Sequence, residues 1–169
     1  MLWPVSTDRK YREMIRCPKN EFGKPTSWSV KEIPPKISPY KNKRPAGKGF
    51  EWRAITAKNG DTIFHVLALA NSKRGNYKAF LTLQEPQDRF MIARFETHPS
   101  HPGIHYHTWC KSQNIPACPN SIEAPFRIPK PENVSQHRSN VAFSPQSFWL
   151  AACNAFNVIF GPADQLRLL

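Results

Sequence analysis

At Phe50 the chain changes character, and this change restricts the fold more than any other feature of the sequence. Before it, the stretch RCPKNEFGKPTSWSVKEIPPKISPYKNKRPAGKG breaks every apolar pattern with proline or lysine. Proline fixes φ and offers no backbone donor, so neither a long helix nor a central strand fits there. After it, apolar segments alternate with strong turn signals, the pattern of an antiparallel meander. Strands are expected at 51–57, 62–70, 77–85, 89–96 and 104–110. Asn59-Gly60-Asp61 suits a tight hairpin, Asn71 to Asn76 (NSKRGN) a longer basic loop, and Pro86-Gln87-Asp88 another short turn. TIFHVLALA is apolar on both faces, which places it centrally.

The expected architecture is α+β, an antiparallel meander sheet packed by a C-terminal helix. An irregular, basic, proline-rich arm at 1–49 precedes a single domain at 50–169. One short helix is expected in the arm, in TDRKYREMIRC with Thr7 as cap. Residues 111–143 return to proline-rich loop. Ser144-Pro145 then gives an N-cap with proline at the first helical position, and Trp149, Ala152, Cys153, Phe156 and Phe160 follow at helical spacing. Gly161-Pro162 supplies the expected stop.

With 24 Lys+Arg against 12 Asp+Glu the formal charge is +12, which attracts polyanions and makes nucleic acid the first partner to consider. The excess is concentrated early, since residues 1–50 hold 12 Lys/Arg and 4 Asp/Glu. Lys41, Lys43, Arg44 and Lys48 in the arm, with Lys73 and Arg74 in the basic loop, are the candidate nucleic-acid contacts. A solvated basic face explains the same charges without any ligand. A hydrophobic fraction of 40% with 12% aromatics excludes a chain disordered throughout. The four cysteines are too few and too scattered for a disulfide framework, and no run reads as a signal-peptide core or membrane span. The expectation is a cytoplasmic protein of bacterial type, with reduced thiols and no membrane partner.

The candidate chemistry lies in ETHPSHPGIHYHTWC, which contains His98, His101, His105 and His107, four of the six histidines. Strand alternation puts His105 and His107 on one face and Ile104, Tyr106, Thr108 and Cys110 on the other. His98 and His101 are expected in a loop stiffened by Pro99 and Pro102 that must fold back to meet them. Three chemistries compete. In the first, the histidines act as acid and base in phosphodiester cleavage, Arg94 steadies charge on phosphorus, and Glu96 orients a histidine or serves as base. Lys73 or Arg74 could assist if their loop reaches over. In the second, His101, His105 and His107 hold a metal, most simply Zn²⁺, with an activated water. In the third, the zinc is structural, and Cys110 and Cys118 join two histidines, although their spacing is wider than a zinc knuckle. Packing without chemistry is the bland alternative. His65 is expected to be a satisfied core histidine, His137 with Arg138 a polar-loop assistant, and Cys153 a buried helix residue.

The run ARFETHPSHPGIHYHTWC resembles small bacterial proteins of toxin–antitoxin or defence loci, including TumE-like toxins. In these, a strand ending in Arg-aromatic-acid precedes a histidine-rich loop and an H-x-H pair. FHVLALANSKRGNYKAFLTLQEP resembles the meander leading into that motif, and the likeness covers about residues 60–110. It implies a toxin-like protein acting on RNA, with a cognate antitoxin, and nuclease chemistry at Arg94, Glu96, His98, His101, His105 and His107 without assigning their steps. The expected function is therefore an RNA-binding, RNA-cleaving ribonuclease of a toxin–antitoxin or antiviral defence system. The alternative is a non-catalytic module that binds nucleic acid or a protein partner.

Overall fold

The computed structural model describes residues 5–39, 46–86, 89–108, 124–126 and 142–161. The expected meander forms. β2 (Glu51–Asn59), β3 (Thr62–Asn71), β4 (Asn76–Gln84), β5 (Arg89–His98) and β6 (His101–Thr108) pair antiparallel in succession. Three short strands extend this sheet: β1 (Lys19–Glu21), β7 (Ala124–Phe126) and β8 (Val158–Ile159). Their order is β7-β6-β5-β4-β3-β2-β1-β8, with the β1/β8 pair parallel. β3 lies inside the sheet and is buried along most of its length, as its apolar composition requires.

Two described helices close one face, α1 (Val5–Arg16) and α2 (Pro145–Ala155). α1 starts two residues before the expected Thr7 cap and buries Tyr11 and Ile15, four residues apart on one side. At the start of α2, Ser144 Oγ accepts from Ser147 N at 3.1 Å and Ser147 Oγ accepts from Ser144 N at 2.9 Å, a reciprocal capping box. Pro145 follows in the first turn, where its missing donor costs nothing. Phe148, Trp149, Ala152 and Cys153 pack on Phe64, Val66, Ala68, Ala79, Leu81 and Phe95 of the sheet. The expected stop at Gly161-Pro162 is corrected. α2 ends at Ala155 because Asn157 turns into the left-handed region at φ 54, and Val158–Ile159 then joins β1. Phe160, expected on the helical stripe, reaches the same core from beyond β8.

The two helix C-termini meet at a buried lysine. Lys19 Nζ donates to the carbonyls of Ile15, Cys17 and Phe156, each at 2.8 Å. Burial pushes this ammonium down to about 8, so at neutral pH it keeps its proton and matches its donors to carbonyls that a helix end leaves open.

The described part of the chain before Phe50 lies along the sheet. Phe22 N, Thr26 N and Ser29 N donate to Thr56 O, Ala54 O and Trp52 O, and Trp52 Nε1 donates to Lys31 O at 2.7 Å. This path carries Ile33 and Ile37 over Trp52, Ala54, Leu67, Leu69, Phe80 and Met91, forming a second, smaller core on the face opposite the helices. Its irregularity follows from prolines such as Pro34 and Pro35, which cannot serve a regular ladder.

Candidate functional site

The ladder β4-β5-β6 sets the candidate residues by register. Lys78 lies opposite Glu96, Phe80 opposite Arg94, and on the other side Glu96 opposite His105 and Arg94 opposite His107. Phe80 belongs to the smaller core, so Arg94, Glu96 and His98, at alternate positions of β5, belong to that face. The other face of β6 carries Ile104 and Tyr106, which pack on the helix-covered core. Burial there raises the Tyr106 hydroxyl well above its ordinary range, which leaves it a packing and hydrogen-bonding group.

The loop expected around His98 and His101 is a two-residue turn. Pro99-Ser100 joins β5 to β6, and His98 is the register partner of His101. The register shifts by two residues between Thr97 and His98, which leaves Pro102 and Gly103 as the extra residues of β6. Proline cannot donate to the ladder, so a bulge accommodates it. The fold-back therefore takes place within the hairpin itself. Backbone pairing brings positions 98, 101, 105 and 107 to alternate rungs of one ladder, although the side chains of His101, His105 and His107 lie outside the described residues.

Glu96 is the centre of the described cluster and only 6% exposed. Arg94 NH2 stands 3.3 Å from its Oε1, and His98 Nε2 stands 4.0 Å from the same oxygen. His98 Nδ1 and Ser100 Oγ are 2.8 Å apart. If the Ser100 hydroxyl donates to Nδ1, the remaining ring proton sits on Nε2 and faces the carboxylate. The carboxylate thus lies between a guanidinium and an imidazole.

His98, Pro99 and Ser100 also line an open depression of about 550 Å³ with Arg74, Asn76 and Lys78. Arg74 arrives through the 3₁₀ turn Ser72–Arg74, where Asn71 Oδ1 accepts from Arg74 N at 3.2 Å. Gly75 ends the turn at φ 59, and a Cβ there would lie 4.0 Å from Pro99 Cγ, so the basic loop does reach the hairpin tip. Gly49, at φ +81, brings the turn containing Lys48 against Asn71; a Cβ at this position would come within 3.1 Å of Asn71 Nδ2. Exposed Lys48, Lys73 and Arg74 thus gather at the sheet end that holds His98. Asn76 Oδ1 and Arg94 Nε are buried there without a hydrogen-bond partner among the described residues.

Lys41, Lys43, Arg44, Cys110, Cys118, His137 and Arg138 lie outside the described residues. Among the described residues no group of three or more His, Cys, Asp or Glu side chains could hold a metal ion. No helix of the described residues is long and apolar enough to cross a membrane. His65 is a buried core histidine: its Nδ1 lies 3.0 Å from Thr56 Oγ1, and burial lowers its pKa. Cys153 is likewise buried in the helix-covered core, and burial raises its thiol pKa. Sequence reasoning missed Lys78, Asn76 and Ser100. Lys78 comes opposite Glu96 only through the register shift between Leu81 and Thr82, which no local sequence signal marks.

Neither family models, curated proteins nor solved structures yield a match to this chain, so residue geometry alone carries the functional argument.

Proposed function

We propose that this protein binds RNA at the basic sheet end and cleaves it by acid–base chemistry centred on His98 and Glu96. The observation that carries the proposal is the single depression shared by His98, Arg74 and Lys78, with Glu96 and Arg94 directly behind His98. Arg74 and Lys78 suit a phosphate, and an imidazole beside a carboxylate suits proton transfer. In this mechanism a base takes the proton of the 2′-hydroxyl, the 2′-oxygen bonds to phosphorus, and the bond to the 5′-oxygen breaks. An acid returns a proton to that leaving oxygen, giving a 2′,3′-cyclic phosphate and a 5′-hydroxyl end. His98 fills one of these roles, and position 105, the register partner of Glu96, is assigned the other. Lys48 and Lys73 add sequence-independent attraction for the polyanion. The same activity fits a toxin-like enzyme of a bacterial defence locus that a cognate partner neutralises.

The non-catalytic alternative is favoured by one observation, the depth of Glu96: a carboxylate already paired with Arg94 also serves as a structural counter-ion. Incubation of total RNA in EDTA with wild type, His98→Ala and Glu96→Gln decides between them. Cleavage by wild type with losses of about 10²–10⁴-fold in His98→Ala supports the enzyme. Binding without cleavage, or equal cleavage by all three proteins, rejects it. If cleavage requires added Zn²⁺, the metal-assisted route replaces the metal-free one.

A further inference from the structure

Far from His98, on the same sheet face, lies a patch that the proposed mechanism does not use. Asn20 of β1 is the register partner of Lys58 on β2 and of Ile159 on β8. Phe22 follows Asn20 by two residues, so all four positions share one face. Lys58 lies on β2 at the same parity as Trp52 and Ala54 of the smaller core, and this identifies the face as the one that carries Arg94, Glu96 and His98. The patch is open: Phe22 is 54% exposed and Ile159 44%.

The Lys58 ammonium sits 3.6 Å from the Phe22 ring centroid, which occupies one face of the ring. The exposure of Phe22 leaves the other face free. The backbone here is fixed, because Phe22 N donates to Thr56 O at 2.8 Å. A rigid aromatic ring with an open face, a cation at its back and an exposed amide beside it is what an unpaired base needs: a π surface for the base and a charge for the neighbouring phosphate. An apolar protein partner would meet a lysine and an asparagine in the centre of the patch, and the net charge of +12 favours a polyanion. β1 and β5 are separated by β2, β3 and β4, roughly 19 Å across a flat sheet. The register sets Lys58 level with Arg89, about eight rungs along the strands from His98, so the two places lie roughly 33 Å apart, a span that several nucleotides of extended single strand can bridge.

We propose that the Lys58–Asn20–Phe22–Ile159 patch is a stacking subsite for an unpaired base of the same single-stranded RNA whose backbone enters the His98 depression. This rests on the RNA-binding part of the proposed function and is independent of cleavage. The test uses the full chain and a fluorescent 2′-O-methyl adenylate 12-mer, which lacks the nucleophilic hydroxyl, so that binding is read alone by anisotropy across a salt series. Phe22→Ala should weaken binding roughly five- to hundred-fold with an unchanged salt slope, whereas Phe22→Trp retains it. Lys58→Gln should lower the salt slope by about 0.7. The Phe22→Ala effect should vanish for a duplex probe, whose bases are already stacked. Wild-type affinity in Phe22→Ala overturns the subsite while leaving RNA binding intact. Absence of binding by wild type overturns both. A change in sedimentation of Phe22→Ala without a change in RNA affinity assigns the patch to self-association and overturns the proposal.

Discussion

One face of the sheet is covered by α1 and α2, and there Tyr11, Phe148, Trp149 and Phe156 meet Phe64, Leu81 and Phe95 in a continuous apolar core. The opposite face is covered by irregular chain, with Ile33 and Ile37 over a cluster of six sheet residues. Helices close their whole footprint because their backbone bonds are internal. A proline-rich segment closes only what its few apolar side chains reach. Polar groups begin where that cover stops: Glu96, Arg94 and His98 toward one sheet end, and His65 with Thr56 and Thr82 toward the other. The partly covered face is therefore where this fold can place chemistry, and the helix-covered face is where it stores stability.

If that division is right, truncation should cost more on the helix side. Phe148→Ala should destabilise by about 3–5 kcal/mol and Ile33→Ala by an amount near the low end of about 2–5 kcal/mol, read from urea midpoints. Equal losses would break the comparison. Lys19→Met should follow at about 1–3 kcal/mol, because the carbonyls of Ile15, Cys17 and Phe156 lose their donor. A neutral or stabilising result would mean that the helix ends do not depend on the buried cation.

A smaller effect is expected from acid. Burial lowers the pKa of His65 in the fold below its ordinary 6.5, so the unfolded chain binds the proton more readily. Stability should fall as pH drops below about 6.5 and be fully present above it. His65→Gln should flatten that part of the profile; an identical slope in wild type and variant would remove His65 as its source. The smallest effects are expected from Lys48→Gln and Lys73→Gln, each lowering the salt slope of RNA binding by about 0.7 with little change in fold. Unchanged slopes would remove Lys48 and Lys73 from the polyanion contact.

The meander was legible in the sequence because alternation and turn residues are local signals: Asn59-Gly60-Asp61 and NSKRGN mark their turns without reference to the rest of the chain. β1 and β8 were not, since three- and two-residue strands have no periodicity to read and exist only through pairing across the chain. The arm's contribution to the smaller core was hidden for a similar reason, as Ile33 and Ile37 stand alone among prolines and lysines. At the candidate site, Arg94, Glu96 and His98 were visible as chemistry, but the prolines around them suggested a long loop. Pro102 is instead absorbed by a bulge, and this shortens the loop to a turn. Lys78, Asn76 and the approach of Arg74 depend on pairing between strands and on the left-handed turn at Gly75, which local composition does not reveal.

The central claim, that His98 beside Glu96 performs metal-free cleavage through the 2′-hydroxyl, is tested most directly by the ends of the product. A 12-nucleotide RNA and its 2′-O-methyl counterpart are incubated in EDTA with wild type and His98→Ala, and the fragments are weighed by mass spectrometry. The expected result is 2′,3′-cyclic phosphate ends from the RNA alone, falling at least about 100-fold in His98→Ala. Fragments with 5′-phosphate ends, cutting of the 2′-O-methyl strand, or undiminished cleavage by His98→Ala would contradict it.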